Sequence, residues 1–268
     1  MNITTHTSSE ASVEAVQLAQ KTLSTSMADS LLCAAHKFYQ RITASVATQC
    51  TVPVAGPLLP ACKYLPHASS VSLAAVADRA FIDALLNEIG LGSTGCHIRT
   101  MLGTHQVLCD LDQAWIRRQY APHLYPPKHA PHGWHQDGAL GFDFFTQHKT
   151  PLEADALLPT VTCWITLTDC GMDSPGLEFV LQPVKDLLRP QELLNNAVKE
   201  HFSADSFYRP QMKAGDAVVF QSATLHRTHV NKEMQSNRTS VELRFVGMDN
   251  IPPRLSEDFF VPLPQAIT

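Results

Sequence analysis

Residues 237–245 read Asn-Arg-Thr-Ser-Val-Glu-Leu-Arg-Phe, and from Arg238 onward the side chains alternate without a break. A period of two is the mark of a strand whose two faces meet different surroundings. Arg238, Ser240, Glu242 and Arg244 share one face, and Thr239, Val241, Leu243 and Phe245 share the other. An apolar outer face for packing and a polar inner face fit a barrel strand with a wet interior.

The rest of the chain supports that reading. From about residue 95, short β-rich runs are separated by turns: HIRTMLG, QVLCDLD, AWIRRQY, TVTCWITLTD, LEFVLQPV and DAVVFQSATL. A helix-like stretch at 190–202 and a Pro- and His-rich loop at 121–132 interrupt them. Before residue 95 the texture is helical. Val13, Val16, Leu18, Leu23, Met27, Leu31 and Leu32 predict a helix within 10–48, and Val76, Ala80, Phe81, Ala84, Leu85 and Ile89 predict another within 70–90, closed by Gly90 and Gly92. Pro53, Pro57, Pro60 and Pro66 break any helix between them, and residues 1–9 are expected to be disordered. Helices first and strands after predict helices packed on a β-sandwich or barrel. We divide the chain into an N-terminal helical region (1–95), a β core (96–250) and a C-terminal tail (251–268), all within one domain.

Composition narrows the function. The 268 residues are 44% hydrophobic and 17% charged, with a formal net charge of −5. The basic footprint of a nucleic-acid binder is missing. No apolar run reaches membrane-spanning length, and the N-terminus lacks a basic segment followed by an apolar one. Seven cysteines, an odd number with no CxxC pair, read as reduced thiols. These features predict a cytoplasmic protein acting on a small molecule, without nucleic-acid or membrane partners; they leave the oligomeric state open.

The segment Gly133-Trp134-His135-Gln136-Asp137-Gly138 carries chemistry. On a strand, His135 and Asp137 would point the same way, with Gln136 turned away. One imidazole and one carboxylate are two thirds of a 2-His-1-carboxylate facial triad, which leaves iron with open positions. By itself HxD also suits a polar strand edge or loop. After the turn at Gly215-Asp216 and the buried strand Ala217–Phe220 comes His226, 91 residues after His135, with His229 as a rival. Arg238 follows His226 by twelve residues; its guanidinium suits a bidentate grip on a carboxylate, and Ser240 on the same face offers a further donor.

Taken in order, WHQDG, TCWITLTD, DSPGLEFV, GDAVVFQSATLHRTHVN and NRTSVELRF resemble the phytanoyl-CoA dioxygenase family of iron(II)/2-oxoglutarate oxygenases, over about residues 115–250. The resemblance implies a double-stranded β-helix, the cupin-like jelly roll, buttressed by the N-terminal helices. It implies Fe(II), 2-oxoglutarate and O2, with His135, Asp137 and His226 as metal ligands and Arg238 and Ser240 on the far carboxylate of 2-oxoglutarate. Family members often carry Asn five residues after the metal His; Asn231 fits His226 and speaks against His229. The Arg238 spacing is one residue longer than usual in the family. Gln119, Thr162 and Trp164 are further cofactor-pocket candidates, and Arg117, Glu242 and Arg244 are candidates for a polar substrate. His123, His129 and His132 read as loop residues rather than ligands. The implied reaction hydroxylates an unactivated C–H bond and releases succinate and carbon dioxide, with desaturation or cyclisation as the alternative. Related halogenases lack the metal carboxylate, so the presence of Asp137 argues against halogenation. A cupin-like zinc hydrolase would leave Arg238 and Ser240 without a purpose, and a non-catalytic sensor would be expected to have lost a ligand.

Overall fold

The computed structural model describes residues 15–48, 69–125, 130–139, 157–184, 186–251 and 259–265, with 42–48 as backbone only. The expectations for residues 1–9, for the prolines at 53–66 and for His129 lie outside the described residues.

A seven-stranded sheet dominates, in the order β1 (Val16–Ala19), β7 (Ala217–Gln221), β4 (Val161–Thr166), β9 (Arg238–Gly247), β3 (Val107–Gln119), β10 (Phe260–Pro262), with β2 (Ser70–Ser72) also pairing with β3. A smaller sheet, β6 (Phe207–Tyr208), β5 (Gly176–Val180), β8 (His226–His229), faces it. The alternating segment 238–247 is β9, at the heart of the large sheet between β3 and β4. Its parity is as the alternation predicts. Val241, Leu243 and Phe245 join the outer core with Cys109, Ile116, Cys163 and Ile165, and that core is covered by Leu31, Phe38 and Tyr39 of α1 (Thr25–Thr48), Ile82, Leu85, Leu86 and Ile89 of α2 (Arg79–Leu91) and Ile98 of α3 (Ser93–Leu102). Between the sheets, Trp164, Val218 and Phe220 meet Leu177 and Phe179. Behind the small sheet, Val198 and Phe202, within and just after α4 (Asn195–His201), pack with Trp134, Val180 and Leu225. This is the squashed barrel of a double-stranded β-helix with its N-terminal helices on the large sheet.

Several local expectations are corrected. Residues 16–19 form an edge strand on β7 rather than the start of a helix, because their partner lies two hundred residues away, beyond the reach of local periodicity. The first helix begins at Thr25. In the 70–90 segment, β2 and a 3-10 turn precede α2; the helix is capped by the Asp78 carboxylate accepting from the Phe81 amide at 2.9 Å, and it buries Ile82, Leu85, Leu86 and Ile89 while Ala80 and Ala84 face solvent. HIRTMLG is not a strand but the end of α3, stopped by Gly103 in the left-handed region (φ 65°). Among the strands, QVLCDLD and AWIRRQY belong to one long strand, β3, whose register slips between Asp110 and Trp115.

Gly215 turns the chain into β7 as expected, at φ 90°; a Cβ there would also lie 2.8 Å from the Leu23 carbonyl oxygen. Among the described residues, no helix is long and apolar enough to cross a membrane.

Candidate active site

His135 and Asp137 do not lie on a regular strand. The His135 amide donates to the His226 carbonyl at 2.9 Å and the His226 amide returns the bond at 3.1 Å, a single antiparallel bridge at the rim of the small sheet. The two imidazoles are thereby set side by side, ring centroids 4.2 Å apart. The chain then enters a 3-10 turn at Asp137–Ala139, pinned by the Gly138 amide on the Ser222 carbonyl at 2.9 Å. That turn, rather than strand parity, brings the carboxylate alongside. Asp137 Oδ1 lies 3.7 Å from His135 Nε2 and 3.8 Å from His226 Nε2. Among the described residues, these three are the one group of His, Cys, Asp or Glu whose ligand atoms gather as a metal would require, all within 4.8 Å.

Each imidazole of the cluster is oriented from behind. His135 Nδ1 meets the Gly133 carbonyl at 2.8 Å and His226 Nδ1 meets the Thr224 carbonyl at 3.0 Å, so each Nδ1 donates and each Nε2 is left as the lone-pair donor toward the cluster. Phe220 and Phe179 flank the His226 ring at 4.6 and 5.9 Å. Gln136, turned away as expected, donates to the Asp186 and Ala223 carbonyls and accepts from the Leu188 amide, which ties the metal loop to its neighbours. Desolvation and then the neighbouring His226 push His135 down to about 3, so it is neutral and fit to bind a cation. Burial alone would raise the Asp137 carboxyl, but the Arg244 guanidinium, the imidazoles and the Thr162 hydroxyl together hold it well below the usual carboxylate range. Two imidazoles and one carboxylate fit Fe(II).

His229 is on the other face of β8. Half-buried, it keeps company with Glu178, Arg209 and Arg227, where Glu178 accepts from Arg209 Nε at 2.7 Å and Arg227 Nε at 2.5 Å. Asn231 forms a local turn, its side chain accepting from the Glu233 amide. Of the loop histidines, His123 is exposed, and His132 sets its ring edge-on to His135 at 5.7 Å.

The inner face of β9 runs away from this cluster. Arg238 is 3% exposed and Ser240 fully buried, and Arg238 Nε and Nη1 and Ser240 Oγ have no hydrogen-bond partner in the structure. The Trp164 ring lies 4.8 Å from the Arg238 guanidinium, and Gln119 is opposite Arg238 across the β3–β9 pair. Desolvation brings Arg238 down to about 10, which leaves it a cation at neutral pH. A buried cation with idle donors beside an idle hydroxyl is costly unless an anion completes it.

Thr162 lies against the His-Asp-His cluster: its hydroxyl donates to Asp137 Oδ2 at 2.6 Å. Arg117, Glu242 and Arg244 are paired with one another. Arg117 Nε donates to Glu242 Oε2 at 2.6 Å, and Arg244 Nη2 donates to Glu242 Oε1 at 2.6 Å and to Asp137 Oδ1 at 2.8 Å. Sequence reasoning missed the Arg244–Asp137 contact and the two phenylalanines around His226. Strand parity put Arg244 on the inner wall but carried no signal for its partner 107 residues away.

Similarity to solved structures agrees with this architecture. EctD from S. alaskensis with bound Fe superposes with a TM-score of 0.58 at 12% identity, covering 92% of this chain and 76% of that one. The ThoJ non-haem monooxygenase–Ni complex gives 0.56 at 16% identity, with 95% and 82% covered. The 2-oxoglutarate-dependent epimerase SnoN from nogalamycin biosynthesis gives 0.52 at 13% identity, with 94% of each covered. Comparison with curated proteins finds no match. The family model for phytanoyl-CoA dioxygenase matches residues 76–239, more than half of the chain and the span that holds His135, Asp137, His226 and Arg238. By this match the chain belongs to the phytanoyl-CoA dioxygenase family of non-haem iron, 2-oxoglutarate-dependent oxygenases.

Proposed function

We propose that the protein hydroxylates an unactivated C–H bond of a small-molecule metabolite, with His135, Asp137 and His226 as the metal ligands and Arg238 and Ser240 holding the far carboxylate of 2-oxoglutarate. The observation that carries this reading is the pairing of two features inside one barrel: a His-Asp-His cluster with Asp137 and His226 buried and His135 partly exposed, and on the inner face of β9 a desolvated guanidinium and hydroxyl with free donors. A hydrolytic metal site would need the first feature but not the second.

When bound there, Fe(II) with 2-oxoglutarate and O2 supplies the oxidising power, and succinate and carbon dioxide leave as co-products. The chain's own contribution is orientation and exclusion of water. The carbonyls of Gly133 and Thr224 fix the imidazole tautomers. Arg238 meets a carboxylate in its own plane, with Trp164 as a flat wall against it and Gln119 alongside. Phe179, Phe220 and Trp164 keep the inter-sheet space dry, which strengthens every charged contact made in it. Asp137 occupies the carboxylate position, so a halide is given no vacancy among the ligands.

SnoN is an epimerase and SnoK a carbocyclase, so this fold also hosts other outcomes. Screening small metabolites for substrate-dependent succinate release, followed by product mass under labelled dioxygen, separates them. We expect a gain of one labelled oxygen. Loss of two hydrogens would replace hydroxylation by desaturation or ring closure, an unchanged mass would point to epimerisation, and a halogenated product formed in chloride buffer would overturn the role given to Asp137.

A further inference from the structure

We infer that Arg244 is a positioning residue for the metal-binding carboxylate, anchored at the end of a buried ion chain that runs through Glu242 to Arg117. The inference rests on the metal site proposed above.

Asp137 Oδ1 is the oxygen that faces both imidazole Nε2 atoms, and it is also the oxygen that takes the 2.8 Å hydrogen bond from Arg244 Nη2. Thr162 takes the other oxygen at 2.6 Å. With both oxygens tied, the carboxylate cannot turn about its axis, and one defined lone-pair direction is left for a cation. Arg244 is itself immobilised: Nη2 also reaches Glu242 Oε1 at 2.6 Å, and Nη1 reaches the Gln113 carbonyl at 3.4 Å. Glu242 is held by Arg117 at 2.6 Å, and Arg117 Nη1 donates to Ser70 Oγ at 3.2 Å. The chain therefore ties strands β2, β3 and β9 to the metal loop.

Two effects of Arg244 on a divalent cation oppose each other: its positive charge repels, and its hydrogen bond preorganises the ligand. Glu242, shared with Arg117, offsets part of that charge at equally short range, and preorganisation is the larger effect. Losing Arg244 would leave a buried carboxylate free to turn or to take up a proton. The guanidinium donors engaged with Asp137 and Glu242 are not free for a substrate, which gives this inner-face arginine a purpose distinct from that of Arg238.

The test is Mn(II) binding, followed by the paramagnetic signal of the free ion, for the full-length protein and for Arg244→Met, Arg244→Lys and Glu242→Gln, with near-ultraviolet circular dichroism as the check on folding. Partners behind a metal ligand typically contribute about 10–100-fold to metal affinity. Arg244→Met should weaken Mn(II) by that order with an unchanged circular dichroism spectrum. Arg244→Lys should recover part of the loss, since an ammonium keeps the charge and a donor for Asp137 but lacks the second nitrogen that anchors the side chain on the Gln113 carbonyl. Glu242→Gln should show a smaller loss. Affinity in Arg244→Met equal to or tighter than that of the unmodified protein would overturn the inference; if that variant does not fold, equal affinity in both Arg244→Lys and Glu242→Gln does so. Failure of the unmodified protein to bind Mn(II) would instead overturn the metal site itself.

Discussion

His226→Ala is expected to abolish metal binding and turnover, while His229→Ala keeps both. The two residues are three apart on one short strand, and in the sequence Asn231 alone divides them, in favour of His226. The structure divides them by face. His226 is buried against Phe220 and shares a backbone bridge with His135; His229 turns outward to the Glu178–Arg209–Arg227 cluster. A three-ligand site that loses one of its two imidazoles keeps too little donor capacity to hold Fe(II) in competition with water. Iron content after anaerobic loading and desalting reads the result directly. An iron-free His229→Ala beside an iron-loaded His226→Ala would reverse the assignment. His135→Ala and Asp137→Ala are expected to behave like His226→Ala.

Arg238→Ala should raise the concentration of 2-oxoglutarate needed for half-maximal uncoupled succinate formation by tens to thousands of times, with little change in the iron requirement. The side chain is buried, its donors at Nε and Nη1 are idle, and Trp164 fixes its plane. Removing the charged partner of a buried carboxylate commonly costs about 2–5 kcal/mol, and each 1.4 kcal/mol is about a factor of ten. Arg244→Ala serves as the contrast, because its expected defect lies in the metal. Should Arg244→Ala raise the 2-oxoglutarate requirement while Arg238→Ala leaves it alone, the two arginines exchange roles.

The parts of this account that were legible in the sequence share a physical property: their pattern is complete within a few residues. The alternation from Arg238 to Phe245 reports one strand between two environments, an apolar core outside and a polar face inside, though that inner face is buried rather than wet. The His135–Asp137 pair was legible for the same reason, whereas His226, 91 residues on, belongs to no local pattern with it. The geometry of the cluster was not legible, because His135 and Asp137 are brought together by a bridge to His226 and a 3-10 turn, neither of which has a periodic signature. The edge strand Val16–Ala19 was read as helix because its apolar residues fit either period and its partner, β7, is remote. HIRTMLG was read as strand because seven residues are too few to show a helical period; the left-handed Gly103 that ends α3 was the available clue. Thr162 was picked out by its place on β4, but only tertiary structure shows that it serves Asp137.

The most direct test of the central claim is the visible absorption of the purified protein titrated with Fe(II) and then 2-oxoglutarate under anaerobic conditions. A metal-to-ligand charge-transfer band that needs both components, is lost in His226→Ala, and in Arg238→Ala forms only at far higher 2-oxoglutarate is the predicted result. A protein that binds iron without ever giving that band, or a band that persists unchanged in His226→Ala, would contradict the account.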